Sequence, residues 1–299
     1  MSHILISGLV NTETTVRVRE FPIPYYPIDY PFFGISTAVS GVAYNLAKAL
    51  RTLGNRVTVL SMTGDDLPGQ TVRQELESIG VDTSHIKIRL KETPGSVVLY
   101  DGEGKRQIYC DLKDIQETAY DFTPQVCEEV DLVAACNINF NRPLLHAAKA
   151  AGKTVATDVH VLRDLYDDYN REFMECADIL FLSDEGIGDS YRDFLGQLGS
   201  IYHNRIIVLG RGSKGATLYL PEEGQFHELP AVQVGPVVNT VGAGDALFSG
   251  FLHGYAKGLS PLDALHRAQL FASAKIGTSG ASKGFITEAE LESLYLRKK

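Results

Sequence analysis

The sequence predicts an α/β fold in which helices cover both faces of a mostly parallel sheet, giving three layers. Three observations carry this. From Asp131 onward, short apolar runs alternate with helical patterns, the rhythm of successive β–α–β units. Residues 4–10 form a mostly apolar run of strand length, with Ser7 and Gly8 inside it, as in a strand buried on both faces. A Gly-Ala-Gly turn at 242–244 separates an apolar run at 232–238, read as a strand, from a helical pattern over 246–255.

Composition bounds the rest. At 299 residues the chain has room for a large core, and no internal repeat or dividing linker interrupts it, so residues 1–299 are read as a single domain. A net charge of −9 argues against a general nucleic-acid or anionic-membrane surface. No apolar run approaches the length of a membrane span. Residues 3–10 are apolar but short and lack a basic flank, so no secretory signal is expected. Cys110, Cys127, Cys136 and Cys176 are scattered, which favours buried thiols in a reducing cytoplasm over a zinc site or a disulfide framework.

Taken in order, the first strand (4–10) runs into Asn11, Thr12 and Glu13, polar residues at its expected C-terminal end. In an open α/β sheet ligands gather at such ends, although chains also simply turn polar there. Residues 14–19 alternate and read as a strand. Residues 21–33 combine four prolines with Tyr25, Tyr26, Tyr30, Phe32 and Phe33, an irregular segment that either covers something or packs on its own rings. Gly41 and Asn45 precede the amphipathic pattern 46–50, which stops at Gly54. A strand at 57–62 leads to Gly64-Asp65-Asp66-Leu67-Pro68-Gly69-Gln70-Thr71. Gln70 occupies the place where a P-loop requires lysine, which excludes a Walker-type NTPase. A helix over 71–79 closes at Gly80. Residues 95–100 and 106–110 form a hairpin around Asp101-Gly102-Glu103-Gly104, and with the earlier strand they make a small sheet. Strands follow at 132–136, 154–157, 179–182, 206–209 and 216–220, with a helix at 143–151. Asp158 and His160 stand just past one strand, and Ser183, Asp184 and Glu185 past another. Gly212-Ser213-Lys214-Gly215 is a tight turn between two strands. Residues 261–275 read as a helix lined with alanines, and Thr287 with Glu290 forms a capping box for a last helix.

The chemistry concentrates in Asn239-Thr240-Val241-Gly242-Ala243-Gly244-Asp245-Ala246. A glycine-rich turn at a helix start presents N–H groups at the positive end of the helix dipole, a ready anion site. Asp245 is held beside it, placed to accept a hydroxyl proton. An ordinary strand-to-helix turn with an acidic first-turn residue fits the same letters. The stretch also resembles the Asp-Thr-x-Gly-Ala-Gly-Asp signature of the ribokinase-like (PfkB-type) sugar and nucleoside kinases, with Asn239 in place of the first Asp. Other matches follow in the family's order: Asn11 with Glu13, Gly41 with Asn45, the Asp66 turn, the hairpin and the Gly212–Gly215 turn.

That resemblance implies a ribokinase-like sandwich with a small β-sheet lid contributed by about 12–36 and 93–112. It implies ATP-dependent phosphorylation of a hydroxyl, usually primary, of a small sugar, with a nucleoside as the alternative acceptor. Asp245 would be the general base, and Gly242, Ala243 and Gly244 the anion hole. Asn11, Glu13, Gly41 and Asn45 would hold the acceptor. Asn239, Gly212, Gly215, Gln269 and Ser279 would border ATP. Mg²⁺ would bridge the phosphates, with Glu185 reaching it through water. In the family's register Ser183 and Gly186 replace the usual Asn and Glu there. A monovalent cation such as K⁺ is implied near Asn239, where the carboxylate is missing, and a homodimer through the lid is implied as well. Two other classes fit parts of the sequence. A dinucleotide binder would share Gly242-Ala243-Gly244 but needs a third glycine and an N-terminal position. A non-catalytic sugar-binding relative would explain Asn239, Ser183 and Gly186, against the retained Asp245.

Overall fold

A computed structural model describes residues 1–103, 105–278 and 280–298; Gly104, at the turn of the expected hairpin, lies outside them. In chain order the first half contains β1 (His3–Ser7), β2 (Asn11–Arg17), β3 (Ile35–Ser40), α1 (Val42–Thr52), β4 (Arg56–Thr63), α2 (Leu67–Ser78), β5 (Ile86–Ile88), β6 (Gly95–Tyr100), β7 (Arg106–Asp111) and the short α3 (Gln125–Glu128). The second half contains β8 (Leu132–Ala135), α4 (Arg142–Ala150), β9 (Thr154–Val161), α5 (Arg171–Cys176), β10 (Ile179–Ser183), α6 (Tyr191–Tyr202), β11 (Ile206–Gly210), β12 (Ala216–Leu220), β13 (Gln225–Leu229), α7 (Ala243–Ala256), α8 (Pro261–Lys275) and α9 (Glu288–Lys298).

Nine strands form the main sheet in the order β13-β12-β11-β10-β9-β8-β1-β4-β5. Pairing is parallel from β5 to β11 and antiparallel at β11–β12 and β12–β13. The reversal falls where residues 211–215 leave room for a tight turn but not for a helical crossover. Alternate side chains of the parallel strands enter two cores. Ile4, Ile6, Leu132, Ala134, Ile206 and Val208 pack with α1, α2, α7 and α8 on one face. Leu5, Val133, Leu180, Leu182, Ile207 and Leu209 pack with α4, α5 and α6 on the other. The period of two in a doubly covered sheet thus explains why these strands are apolar throughout. A second sheet of four strands, β3-β2-β6-β7, is hydrogen-bonded separately from the first. Among the described residues, no helix is long and apolar enough to cross a membrane. All four cysteines are free, and only Cys110 is exposed.

Several boundaries differ from the sequence reading. Residues 232–238 do not form a strand. Pro230 and Pro236 lack the ladder donor, and the segment runs along α8 instead. Its Val234 N–H donates to Ser273 Oγ at 2.9 Å, and the Val238 and Asn239 N–H groups donate to the Ile276 carbonyl at 2.8 and 3.1 Å. The strand that completes the sheet is β13, whose half-polar pattern carries no strong strand signal. The strand expected at 14–19 begins at Asn11, so Asn11 and Glu13 stand within β2, paired with Ser40 and Ala38. β9 continues past Asp158 to Val161, with a shift of register against β10 that leaves His160 at a left-handed φ of 58°.

α2 begins at Leu67 because Asp66 caps it. The Asp66 carboxylate accepts from Gly69 N at 2.8 Å and from Thr93 N and Thr93 Oγ1 at 2.8 and 2.5 Å, tying the helix to the chain before β6. Asp66→Ala is expected to lower the unfolding free energy by about 1–2 kcal/mol, read as a lower urea midpoint at unchanged m-value.

Candidate active site

The site is assembled at the start of α7. Gly242 caps the helix with φ 76°, and a Cβ there would stand 2.5 Å from the Ala281 carbonyl oxygen. Only glycine fits that combination of dihedral and contact. Ala243 N–H donates to the Thr240 carbonyl at 3.1 Å, and Ala246 N–H donates to the Gly242 carbonyl at 3.0 Å. The N–H groups of Gly242, Gly244 and Asp245 find no acceptor among the described residues, so they remain available at the positive end of the helix. Of the three N–H groups expected to form the anion hole, that of Ala243 is thus engaged internally, and that of Asp245 is free.

Asp245, in the first turn of α7, is half-buried, and its Oδ2 accepts from Asn45 Nδ2 at 2.7 Å. Asn45 is in the first turn of α1, where its own N–H donates to the Gly41 carbonyl. Gly41 takes φ 97°, and a Cβ there would lie 2.6 Å from the Leu9 carbonyl oxygen, so this glycine lets α1 start hard against the end of β1. Glu13 Oε2 accepts from Ser40 Oγ at 3.4 Å, and Asn11 Nδ2 donates to Ser96 Oγ at 3.1 Å. The small sheet and the main sheet therefore meet at one place, lined by Asn11, Glu13, Ser40, Asn45, Ser96 and Asp245. Asn11 Oδ1 and Asn45 Oδ1 are both buried there without a donor among the described residues. An unsatisfied buried acceptor costs about 1–3 kcal/mol, and a ligand rich in hydroxyl groups would satisfy both.

Electrostatics bind the groups together. Burial pushes the Asp245 carboxyl above the usual range, while the Asn45 hydrogen bond and the charges of His160 and Lys275 hold it down and Asp158 adds to the rise. Burial likewise raises Glu13, against the hydrogen bond from Ser40 and with a further push from Asp245. Asp245 thus lies close enough to Glu13 for its charge to disfavour a second one there. Lys275, at the end of α8, is completely buried and was not singled out by the sequence reading. It shares a helix face with the buried Ala268 and Phe271, seven and four residues earlier, so helical periodicity alone marks it as a lysine on an inward face.

The residues expected at the nucleotide are more dispersed. Asn239 Oδ1 accepts from Val241 N at 2.8 Å, which shapes the loop before Gly242. Gly212 (φ 54°) and Gly215 (φ 100°) make the β11–β12 turn; a Cβ at Gly215 would lie 2.0 Å from the Leu229 carbonyl oxygen, so the fold itself requires that glycine. Gln269 Nε2 donates to the carbonyls of Leu229 and Pro230 at 3.2 and 3.3 Å. It lines a groove of about 750 Å³ with Phe226, Leu262, His266 and Tyr295, which holds none of the groups around Asp245. Ser279 lies outside the described residues. Glu185 is exposed in the loop after β10, next to Asp184. Among the described residues no three His, Cys, Asp or Glu side chains cluster to hold a metal ion. Mg²⁺ carried on nucleotide phosphates needs only one or two carboxylates, with water filling the remainder, and the Asp184–Glu185 pair fits that limited demand.

Residues 2–288 match the family described as pfkB family carbohydrate kinase. An ATP-dependent ribose-1-phosphate kinase from Halopiger xanaduensis is 29% identical over 260 residues, covering 84% of each chain. Acarbose 7(IV)-phosphotransferase from an Actinoplanes species is 26% identical over 293 residues, covering 96% of each chain. Among solved structures, a microbiome-derived acarbose kinase superposes with a TM-score of 0.89 at 24% identity, covering 99% of this chain and 100% of that one. Arabidopsis thaliana ribokinase, complexed with ribose and ATP, superposes with a TM-score of 0.81 at 19% identity, covering 98% of each chain. At such identities the superpositions establish the shared ribokinase-like fold.

Proposed function

Because the chain belongs to the pfkB family of carbohydrate kinases, we propose that it transfers the γ-phosphoryl group of ATP to a hydroxyl, a primary one, of a small sugar or sugar-like acceptor. The single observation that carries this is a carboxylate, Asp245, fixed at a helix start with free N–H groups and facing two buried carboxamide oxygens that lack donors.

In this reading Asn11 Oδ1 and Asn45 Oδ1 accept hydrogen bonds from acceptor hydroxyls, and Glu13 accepts a third. Asp245 Oδ1, the oxygen not held by Asn45, takes the proton of the reacting hydroxyl. That hydroxyl oxygen forms a bond to the γ-phosphorus as the bond to the β,γ-bridging oxygen breaks, and ADP leaves. The N–H groups of Gly242, Gly244 and Asp245 hold the phosphoryl oxygens as their charge shifts. Asp184 or Glu185 would hold Mg²⁺, which would supply charge neutralisation for the phosphates when bound. The gain comes from positioning and from charge stabilisation in a site shielded from water. The small sheet, with the 21–33 segment, serves as the lid. Its exposed Ile35, Val97, Ile108 and Tyr109 support pairing of two copies through that sheet, which sedimentation velocity tests directly.

The test is Mg²⁺-dependent ADP release from ATP across pentoses, hexoses, sugar acids, sugar phosphates and nucleosides. Nucleosides belong in the panel because Tyr25, Tyr30, Phe32 and Phe33 expose ring faces in the 21–33 segment. Turnover on one acceptor class identifies the substrate; ATP bound without turnover on any of them contradicts the kinase reading. On the acceptor found, Asn11→Ala should raise KM by about tenfold or more and leave ADP affinity unchanged. An unchanged KM would remove Asn11 from the acceptor site.

A further inference from the structure

Lys275 has no role in the steps above, yet it is completely buried at the end of α8. Its Nζ donates to the carbonyl of Val241, the residue immediately before Gly242. The same loop is held from its other side, where Asn239 Oδ1 accepts the Val241 N–H and the Asn239 N–H donates to the Ile276 carbonyl. Both backbone polar groups of Val241 are thereby engaged, its carbonyl by an ammonium and its N–H by a carboxamide. The charged groups facing Lys275 are Asp245 from α7, Glu13 from β2 and Arg106 from β7. Two anions and one cation surround it, so the local balance calls for a positive charge at this point.

The resemblance to ribokinase-like kinases implies a monovalent cation beside Asn239. The residues present do not fit one. Asn239 carries no charge, its side-chain oxygen is turned to the Val241 N–H, and the adjacent carbonyl is already occupied by the ammonium. A metal ion placed there would meet a like charge in a buried setting, which low polarity makes more unfavourable.

We propose that Lys275 is the resident cation of the anion-hole loop, so that nucleotide binding and phosphoryl transfer require no K⁺. Lys275 acts as a positioning residue: it fixes the Val241 peptide, and with it the dihedral of Gly242 and the direction of the free N–H groups. The proposal rests on the kinase reading for its catalytic part, whereas its cation part concerns the folded chain alone. Burial lowers Lys275 from 10.5 to about 8, against the opposing pull of Asp245 and Glu13 and with a further push from Arg106. The group therefore carries its charge below about pH 8 and loses it as pH rises through that value. In kcat/KM for ATP, which reports the free enzyme, a fall on the alkaline side is expected.

The first test uses the unaltered protein. Thermal melting without nucleotide, and ADP affinity by calorimetry, are measured in K⁺ and in tetramethylammonium at equal ionic strength. An unchanged melting midpoint and ADP affinities within about twofold are expected; a K⁺-dependent rise in the midpoint, or about tenfold tighter ADP binding in K⁺, overturns the proposal, since each tenfold would correspond to a bound cation contributing to the site. Melting requires neither acceptor nor turnover, so this failure is separable from a failure of the kinase reading. The second test is Lys275→Ala. A loss of about 100-fold in kcat/KM, with partial recovery on adding methylammonium or K⁺ and no alkaline limb near pH 8, is the expected result. Retention of the wild-type pH profile and rate would overturn the proposal, whatever the variant's stability.

Discussion

Asp245→Asn lowers turnover by about 10³-fold and leaves ADP affinity close to that of the parent protein. The substitution keeps the acceptor for Asn45 Nδ2, because a carboxamide oxygen replaces Oδ2 in the 2.7 Å bond. It also keeps the length of the side chain and the N–H groups of the helix start. What it removes is the capacity to take a proton. The variant should not lose stability. Burial raises the Asp245 carboxyl above its unfolded value, so its ionised form is disfavoured in the folded state and costs stability at neutral pH. A neutral side chain relieves that cost. The expected signature is therefore loss of turnover with a melting midpoint equal to or above that of the parent. Near-normal turnover on the best acceptor would remove Asp245 as the base.

Gly242→Ala should reduce turnover by about 10²–10³-fold by a different route, and here stability falls too. A left-handed dihedral for a residue with a side chain costs about 1–2 kcal/mol. The added methyl would also sit 2.5 Å from the Ala281 carbonyl oxygen, so the loop must shift. Both effects turn the free N–H groups away from the direction that the helix start imposes. Gly244 is the control. A Cβ there meets nothing within 4 Å, so Gly244→Ala should fold as stably as the parent. Any loss of turnover in that variant would then report contact with a ligand rather than damage to the loop. Equal stability for the two variants would contradict the packing argument at Gly242.

Much of the architecture is legible because it depends on local patterns. The parallel strands are apolar throughout since both faces are covered, and the helix expected at 261–275 is α8, with Ser260 Oγ accepting the Asp263 N–H at its start. The Thr287–Glu290 capping box is present, with Thr287 N donating to Glu290 Oε2 at 2.7 Å. The apolar segment 232–238 reads as a strand for the same local reasons but forms no ladder, because Pro236 within it and Pro230 before it lack the donor, and Ser273 of α8 with Ile276 just past it accept its hydrogen bonds. β13 is the converse: weak in pattern, it becomes a strand because β12 presents a free edge to it.

The candidate site divides along the same line. The glycine-rich turn and Asp245 were legible because a helix start and a carboxylate have local signatures. Gly41 and Asn45 were legible only through resemblance, since Gly41 matters for its approach to the Leu9 carbonyl and Asn45 for a contact with a residue 200 positions away. Lys275 escaped notice because its meaning depends on what it faces. A lysine at the end of a helix is ordinarily solvated and favourable to the dipole; the spacing to Ala268 and Phe271 marks an inward face, but nothing local shows that the ammonium meets the Val241 carbonyl. By itself the sequence determined the parallel β–α alternation and the glycine-rich helix start that carries Asp245, because hydrogen-bond periodicity and glycine dihedrals are set over a few residues. Tertiary structure alone decided which distant side chains share charge around Asp245, because burial and Coulomb interaction depend on proximity in space.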